Sequence, residues 1–301
     1  MSVSEKFLAI VNPAAGGGRS ARRAGLELAG LKEKGLRIDV IESTGPNHAS
    51  ELAAEGYQQG YRRFLAVGGD GTAHEVINGI FQRPQGSRVE LGFLPLGRGN
   101  SFLRDFTTRG AEASLQALVE GRKRPVDVLC LRHDQGTIYS FNLLSVGFTA
   151  DVGAITNRVF KPFGQFGYLL GVFVKVVQLN RSAFKVRCDD DWEWDERRCL
   201  FLSFNNSKFT GGTMLIAPHA DATDGLVEYV RWGPIGRVEL LKMLPRLYDG
   251  THLDHPQAAR RAVKRVEFEM HAPVDVMVDG EIVRLQCKTL EILPGAMDVY
   301  I

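Results

Sequence analysis

Phe64-Leu65-Ala66-Val67-Gly68-Gly69-Asp70-Gly71-Thr72-Ala73-His74-Glu75-Val76 is the stretch whose reading decides the fold. An apolar run leads into a glycine-rich turn, which opens into the helical pattern of Ala73–Gly79. A buried strand that ends in such a turn at a helix start is a building unit of open α/β sheets. Glycine lets the backbone approach a ligand closely and take positive φ. Exposed N–H groups and the positive end of the helix dipole make the turn suited to phosphate. Asp70 adds an oxygen ligand of the kind Mg²⁺ prefers. The same residues also suit an ordinary helix start, because Thr72 and Glu75 form a T-x-x-E capping box. Gly-Gly and Asp-Gly pairs mark plain turns as well.

The strand–helix rhythm extends over residues 1–125. Phe7–Val11, Arg37–Glu42, Phe64–Val67 and Leu91–Leu94 read as strands. Ser20–Lys34, Pro46–Gln59, Ala73–Phe81, Ser101–Phe106 and Ala111–Glu120 read as helices. This alternation implies a parallel sheet covered on both faces, with ligands bound beyond the carboxyl ends of the strands. Two more glycine-rich turns fall at such ends: Asn12-Pro13-Ala14-Ala15-Gly16-Gly17-Gly18-Arg19-Ser20 and Pro95-Leu96-Gly97-Arg98-Gly99-Asn100-Ser101-Phe102. All of these turns would face one crevice.

After Pro125 the pattern changes. Val126–Arg132, Ile138–Val146, Ala183–Cys188, Arg198–Phe204, Leu226–Trp232, Val263–Met270, Val274–Val278 and Thr289–Leu293 read as strands with hairpin signals between them. Helical stretches near 151–179 and 235–247 interrupt the series. The expected second domain, residues 126–293, is mainly antiparallel, a sandwich or a barrel.

The 301 residues are 44% hydrophobic and 24% charged, the composition of a globular soluble protein. A formal net charge of +2 gives no argument for a nucleic-acid partner. Cys130, Cys188, Cys199 and Cys287 are scattered without a Cys-x-x-Cys pair, so reduced cytoplasmic thiols are expected. The N-terminus carries no basic segment leading into a long apolar run, and no signal peptide is expected. The longest apolar candidate, Tyr168 to Leu179, is broken by Lys175 and falls short of the ~20 residues a membrane span needs. Nothing in the composition opposes a homodimer.

Taken in order along the chain, the motifs resemble the diacylglycerol kinase catalytic-domain family, which includes bacterial lipid kinases and the sphingosine and ceramide kinases. The matching blocks are Asn12-Pro13 with Gly16–Gly18, Gly68–Thr72 with Glu75 and Asn78-Gly79, and Pro95–Asn100. Gly147–Val152, Gly211-Gly212 through Ala217-Pro218, Asp224-Gly225 and Val278-Asp279-Gly280-Glu281 follow. The resemblance implies an N-terminal α/β domain like that of NAD kinases and 6-phosphofructokinases, and a C-terminal β-sandwich. It places ATP in the cleft between them and returns residues 294–301 to the first domain.

The implied activity is ATP- and Mg²⁺-dependent transfer of a γ-phosphoryl group to the hydroxyl of diacylglycerol or a related lipid. The lipid would be met at a membrane surface, by a cytoplasmic protein peripheral to the inner face. Such transfer depends on positioning and on neutralising the phosphates, with a base aligned on the hydroxyl. By resemblance, Gly68, Gly69, Gly71 and Thr72 cradle phosphate beside Glu75, and Asp70 holds Mg²⁺. Asn12, Gly16, Gly17 and Gly18 border the nucleotide, Thr44 lies on its adenine side, and Gly97, Arg98, Gly99 and Asn100 close the third wall. Asp279 is the implied general base, with Glu281 beside it. Read without the resemblance, Asp279-Gly280 is a type I′ hairpin turn between two apolar strands. Asp224, with Asp221 and Leu226, matches a structural Mg²⁺ site, while Thr223-Asp224-Gly225 also reads as a simple turn.

Phe160, Phe163, Phe166, Tyr168, Leu169, Leu170, Val172 and Phe173 suit either a lipid-lined cleft or a core helix. Arg260, Arg261, Lys264 and Arg265 suit either anionic lipid heads or a solvated face. The chain departs from the bacterial pattern at Arg98, usually Thr or Ser, and at Ser101, usually an aspartate of the acidic network around the metal. Asp70 and Asp127 are then the remaining carboxylates there. Eukaryotic sphingosine kinases also lack that aspartate. Two alternatives stand beside the lipid kinase. One is a nucleotide- or lipid-binding regulator that has lost catalysis. The other is an NAD kinase, which shares Gly-Gly-Asp-Gly-Thr but is opposed by the Pro95–Asn100 block and by Asp279-Gly280-Glu281.

Overall fold

Residues 3–15, 20–82, 88–96, 100–156, 159, 171 and 174–301 are described by the computed structural model. The chain divides into two units, Met1–Val128 with Pro294–Ile301, and Leu129–Leu293.

In the first unit β1 (Phe7–Val11) lies between β2 (Ile38–Glu42) and β3 (Arg63–Gly68), parallel to both. β4 (Val89–Pro95) continues the parallel sheet beyond β3, and residues 297–299 of the final strand pair parallel with β4. The order β2-β1-β3-β4 changes direction at β1, so the turns after β1 and β3 flank a topological switch point.

Burial on both faces explains why β1 and β3 read as unbroken apolar runs, whereas β2 at the sheet edge is largely exposed. Phe7, Ala9 and Val11 join one core with Ala24, Leu28 and Leu31 of α1 (Ser20–Glu33) and with Ala117 and Leu118 of α4 (Ala111–Glu120). The alternate side chains point the other way. Leu8 meets α2 (His48–Gln58) so closely that a Cβ on Gly56 would lie 2.3 Å from Leu8 Cδ2.

Close backbone approach also sets the contact between α2 and α3 (Asp70–Phe81). A Cβ on Gly79 would lie 2.0 Å from the Ser50 carbonyl oxygen and 3.0 Å from the Ala53 Cβ. In an open helix Gly→Ala stabilises by about 1 kcal/mol, but overpacking against a fixed backbone costs about 1–3 kcal/mol or more. Gly79→Ala is therefore expected to lower stability, measured as a fall in the denaturant midpoint. A raised midpoint would show that α2 and α3 separate freely.

The expected helix Ala73–Phe81 starts three residues earlier, at Asp70, with Gly69 as its extended N-cap (φ −107°). Ser101–Phe106, read as helical, forms a single 3₁₀ turn at Leu103–Asp105. The C-terminal segment is held in the first unit by polar bonds: Arg88 pairs with Asp298 at 2.9 Å, and Glu90 receives Lys123 at 2.5 Å and the Tyr300 hydroxyl.

The second unit is antiparallel. One sheet runs β13 (Ala258–Val263), β12 (Val227–Trp232), β9 (Phe201–Asn205), β7 (Leu143–Gly147), β15 (Val274–Val278) and β16 (Glu281–Leu285). Across the core lie β5 (Lys123–His133), whose residues 129–133 pair with β6 (Gly136–Ser140), and β8 (Lys185–Cys188) with β14 (Arg265–Glu269) and residues 289–291, while β10 (Phe209–Thr210) and β11 (Met214–Leu215) form a separate small ladder. Leu129, Leu144, Val186, Phe204, Val266 and Val278 come from both layers and share one apolar cluster, which makes this a sandwich.

Three strand readings change. Ile138–Val146 is interrupted at Phe141-Asn142, and Val263–Met270 begins in the corner between β13 and β14. Thr289–Leu293 is the middle of the 14-residue β17 (Cys287–Tyr300). α5 (Phe148–Ile155) and α6 (Arg237–Met243), the latter followed by a 3₁₀ turn at Leu244–Leu247, occupy parts of the two helical stretches. The apolar candidates from Phe160 to Phe173 lie outside the described residues. Among the described residues no helix is long and apolar enough to cross a membrane.

Candidate active site

In the first unit the turns that end β1, β3 and β4 are tied together by hydrogen bonds. The Asn12 amide N–H donates to the Val67 carbonyl at 2.9 Å, and its side-chain Nδ2 donates to Thr72 Oγ1 at 3.3 Å across the switch point. Asn12 Oδ1 in turn accepts the Ala14 N–H at 3.0 Å. The Leu96 N–H donates to the Gly68 carbonyl, and the Ser101 N–H donates to Asp70 Oδ2, both at 2.8 Å. Asp70, in the first turn of α3, is thus oriented by the backbone of the third turn. Its charge lies where the helix dipole is positive.

Gly68 is required for space and not for conformation. A Cβ there would lie 2.2 Å from Thr72 Oγ1. Gly68, Gly69 and Gly71 are not among the residues of positive φ, contrary to the expectation from their composition. Gly16, Gly17, Gly18, Gly97, Arg98 and Gly99 lie outside the described residues. Asn100, partly buried, precedes the buried Ser101.

Thr44 is exposed after β2, where its N–H donates to His48 Nδ1 at 2.9 Å. Glu75 does not complete a capping box with Thr72. Its Oε2 accepts the Ala49 N–H at 3.1 Å, so it caps the neighbouring helix α2. Glu75→Ala is expected to cost about 1 kcal/mol, as loss of a cap does. A fall in ATP affinity without that loss of stability would point to direct nucleotide contact instead.

Asp127 is buried in β5 (Lys123–His133), and its Oδ1 accepts the Gly295 N–H at 2.6 Å. No group of three or more metal-ligating side chains occurs among the described residues. Asp221, Asp224 and Leu226 share one turn, in which Asp221 Oδ1 accepts the Thr223 N–H at 3.0 Å and Asp224 Oδ1 accepts the Leu226 N–H at 2.9 Å.

In the second unit Asp279 and Gly280 form the turn between β15 and β16, with φ of 50° and 92°. Positive φ at both positions is what a type I′ turn demands. The Asp279 carboxylate is buried, at 5% exposure, and reaches into the break between β6 and β7. Its Oδ1 accepts the Ser140 hydroxyl at 2.5 Å, the Asn142 N–H at 3.0 Å and the Leu143 N–H at 3.1 Å. Oδ2 accepts the Phe141 N–H at 3.4 Å. The strand expected over Ile138–Val146 breaks here because its amides turn to this carboxylate.

The break is supported from the β9 side. The Asn206 and Ser207 N–H groups donate to the Asn142 carbonyl at 2.8 and 3.1 Å, and Asn206 Nδ2 donates to the Phe141 carbonyl at 2.9 Å. The sequence reading did not single out Ser140, Asn142, Asn206 or Ser207. Polar pairs at strand ends, Ser140-Phe141-Asn142 and Asn205-Asn206-Ser207, were the only signal. Glu281 is exposed at the start of β16.

The hairpin borders an apolar cavity of about 710 Å³ whose wall includes Gly280. Phe148 and Val152 of α5, Phe201, Trp232, Met277 and Leu240 supply apolar wall, and Thr149, Thr156, Thr210 and Tyr248 supply the few hydroxyls. A pocket of this size with few polar groups is typical of small-ligand sites. Cysteine nucleophiles are disfavoured, because burial pushes Cys188 and Cys199 to about 11 and Cys287 to about 12.

Comparison with known proteins covers nearly the whole chain. Residues 6–131 match the diacylglycerol kinase catalytic domain, and residues 142–301 match the YegS C-terminal NAD kinase beta sandwich-like domain. A diacylglycerol kinase of Mycobacterium tuberculosis is 27% identical over 299 residues, covering 98% of this chain and 94% of its own. One from Staphylococcus saprophyticus is 26% identical over 274 residues, covering 90% and 87%. A crystal structure of a diacylglycerol kinase from Bacillus anthracis superposes with a TM-score of 0.70 at 18% identity, covering 98% of this chain and 96% of that one.

Proposed function

This chain belongs to the diacylglycerol kinase catalytic-domain family of lipid kinases, and from that premise we propose that it transfers the γ-phosphoryl group of ATP to the hydroxyl of diacylglycerol or a related lipid alcohol, with Mg²⁺. The observation that carries the acceptor class is the apolar cavity whose wall includes Gly280, next in sequence to Asp279. A lipid tail gains about 0.8 kcal/mol for each methylene taken out of water, so this wall favours a hydrocarbon chain over a polar dinucleotide.

Asp279 is the base in this reading. It takes the proton from the lipid hydroxyl as that oxygen bonds to the γ-phosphorus and the bond to the β-bridging oxygen breaks, releasing ADP. Ser140 and the amides of residues 141–143 hold the carboxylate in one orientation. Glu281 begins the strand that follows. In the first unit Gly68, Gly69, Gly71 and Thr72, with Asn12 and Asn100, bind the nucleotide phosphates, and Asp70 holds Mg²⁺. Thr44 belongs to the adenine side.

The donor set fits this ion. Mg²⁺ keeps several waters and needs only one or two carboxylates besides the phosphates. Bound there, it neutralises charge on the transferring phosphoryl group. Asp127 is not placed to share that metal: its partner Gly295 precedes the β17 residues that pair with the amino end of β4, whereas Asp70 follows the carboxyl end of β3. Asp221 and Asp224, with the Leu226 carbonyl, are the ligands proposed for a structural Mg²⁺.

Radiolabelled transfer from ATP to diacylglycerols, monoacylglycerols, sphingoid bases and NAD tests the reading. A labelled phospholipid formed only with Mg²⁺ is expected. Labelled NADP would overturn it in favour of an NAD kinase, and ATP binding without turnover in favour of a regulator. Leu244→Trp, in the cavity wall, is expected to raise KM for long-chain acceptors by about tenfold while sparing short-chain ones. An equal effect on both would remove the cavity from acceptor binding.

A further inference from the structure

The segment from α6 through its 3₁₀ turn is apolar on two faces. Leu240, Met243 and Leu247 point into the core. Val238, Leu241, Pro245 and Tyr248 follow the same helical spacing on the opposite side and are exposed, Val238 at 67%, Leu241 at 48% and Tyr248 at 56%. A single amphipathic helix packed on a domain needs only the first face. The start of the segment is tied to the chain at Val177, whose carbonyl accepts Arg237 Nε at 3.1 Å. Among the described residues of the second unit, three of the six exposed large hydrophobic residues therefore sit on this one segment.

The charges around the stripe choose its partner. Arg237, Lys242 and Arg246 flank it, against Glu239 and Asp249. Both acids are engaged, Glu239 with His255 at 3.0 Å and Asp249 with the Thr251 hydroxyl at 2.6 Å. Lys242 and Arg246 form no ion pair among the described residues. The other basic run is a poor receptor for anions by comparison. Arg260 pairs with Glu228, Arg261 with Asp191, and Arg265 with Glu267.

We propose that this stripe docks on the surface of an anionic lipid bilayer, with Val238, Leu241 and Tyr248 entering the headgroup boundary and Lys242 and Arg246 meeting anionic heads. Apolar side chains rimmed by basic ones are the composition of interfacial helices. Leu241, Pro245 and Tyr248 also line the apolar cavity, so the docked face frames the cavity mouth. An acceptor lipid passes from bilayer to cavity along apolar wall. This last step rests on the reading of the cavity as the acceptor site, whereas the docking does not.

The test uses the full chain and the variant Val238→Glu/Lys242→Glu/Arg246→Glu, whose residues are exposed and outside the cavity wall. Co-sedimentation is measured with phosphatidylcholine vesicles containing 30% phosphatidylglycerol, and with phosphatidylcholine alone. Wild type is expected to bind the anionic vesicles and to release as salt rises, and the variant to bind at least tenfold more weakly. Transfer to diacylglycerol in those vesicles falls in parallel, while transfer to soluble dihexanoylglycerol is unchanged. Equal sedimentation of the two proteins, or no binding by wild type, overturns the proposal. A change of oligomeric state in the variant with vesicle binding intact overturns it too, by making the stripe a protein interface. No transfer to dihexanoylglycerol by wild type would strike the cavity reading and leave the vesicle result to decide docking.

Discussion

Asp279→Asn is expected to reduce turnover by about 10²–10⁴-fold, the range that a positioned base contributes, while ATP binding is retained. Asn is the informative replacement for two physical reasons. It tolerates the left-handed backbone at φ 50°, where alanine is strained. Its carbonyl oxygen can also go on accepting the Asn142 and Leu143 N–H groups, now received at 3.0 and 3.1 Å. The loss of stability should therefore be small, about 1–2 kcal/mol. Asp279→Ala would leave several buried donors without an acceptor, at about 1–3 kcal/mol each, and would confuse an unfolded break with a missing base. Steady-state kinetics and thermal unfolding of the Asn variant separate the two. Turnover within a few-fold of wild type would eliminate Asp279 as the base and leave it as the clamp on residues 140–143.

Asp70→Asn removes a charge and little else. The Ser101 N–H keeps an acceptor where it now finds Oδ2 at 2.8 Å. The weakened helix-dipole interaction costs at most about 1 kcal/mol. Loss of charge stabilisation on the transferring group should lower kcat by about 10²–10³-fold, the size found when one preorganised stabilising group is deleted. The Mg²⁺ dependence supplies the second readout, since the concentration for half-maximal rate should rise. An unchanged Mg²⁺ titration with reduced kcat would assign Asp70 to positioning the Ser101 turn, and the metal to the phosphates alone.

The glycine-rich stretch was legible because its information is local. An apolar run, glycines and a helical period lie within thirteen residues, and β3 and α3 stand where that pattern puts them. The helix start moved to Asp70 because Gly69 already serves as N-cap, which a sequence reader assigns more readily to Thr72. The alternative reading of Glu75 as half of a capping box fails for the same reason. Its real partner, Ala49, is 26 residues away on another helix. The Asp-Gly turn was equally local, and both positive φ values followed from it.

The basic run at 260–265 shows the opposite case. A charge run looks alike in sequence whether it is solvated, paired or waiting for an anion. Glu228, Asp191 and Glu267 lie within reach of Arg260, Arg261 and Arg265 and pair them. The apolar cavity is a similar instance. Among the described residues its wall is assembled from α5, β9, β12, β15 and the segment from Leu240 to Tyr248, which are far apart in the chain.

By itself, then, the sequence determined the order of elements, the change from a parallel to an antiparallel half, the family and the turns that carry glycine. These follow from periodicity and from backbone freedom, both properties of neighbours in the chain. Only the tertiary structure decided that Ser140, Asn142, Asn206 and Ser207 gather around the break that Asp279 fills, across separations of 139 residues to Ser140 and 65 residues between Asn206 and Phe141. A hydrogen bond depends on distances of a few tenths of an ångström. No local pattern encodes such a distance between strands that meet only when the sandwich closes.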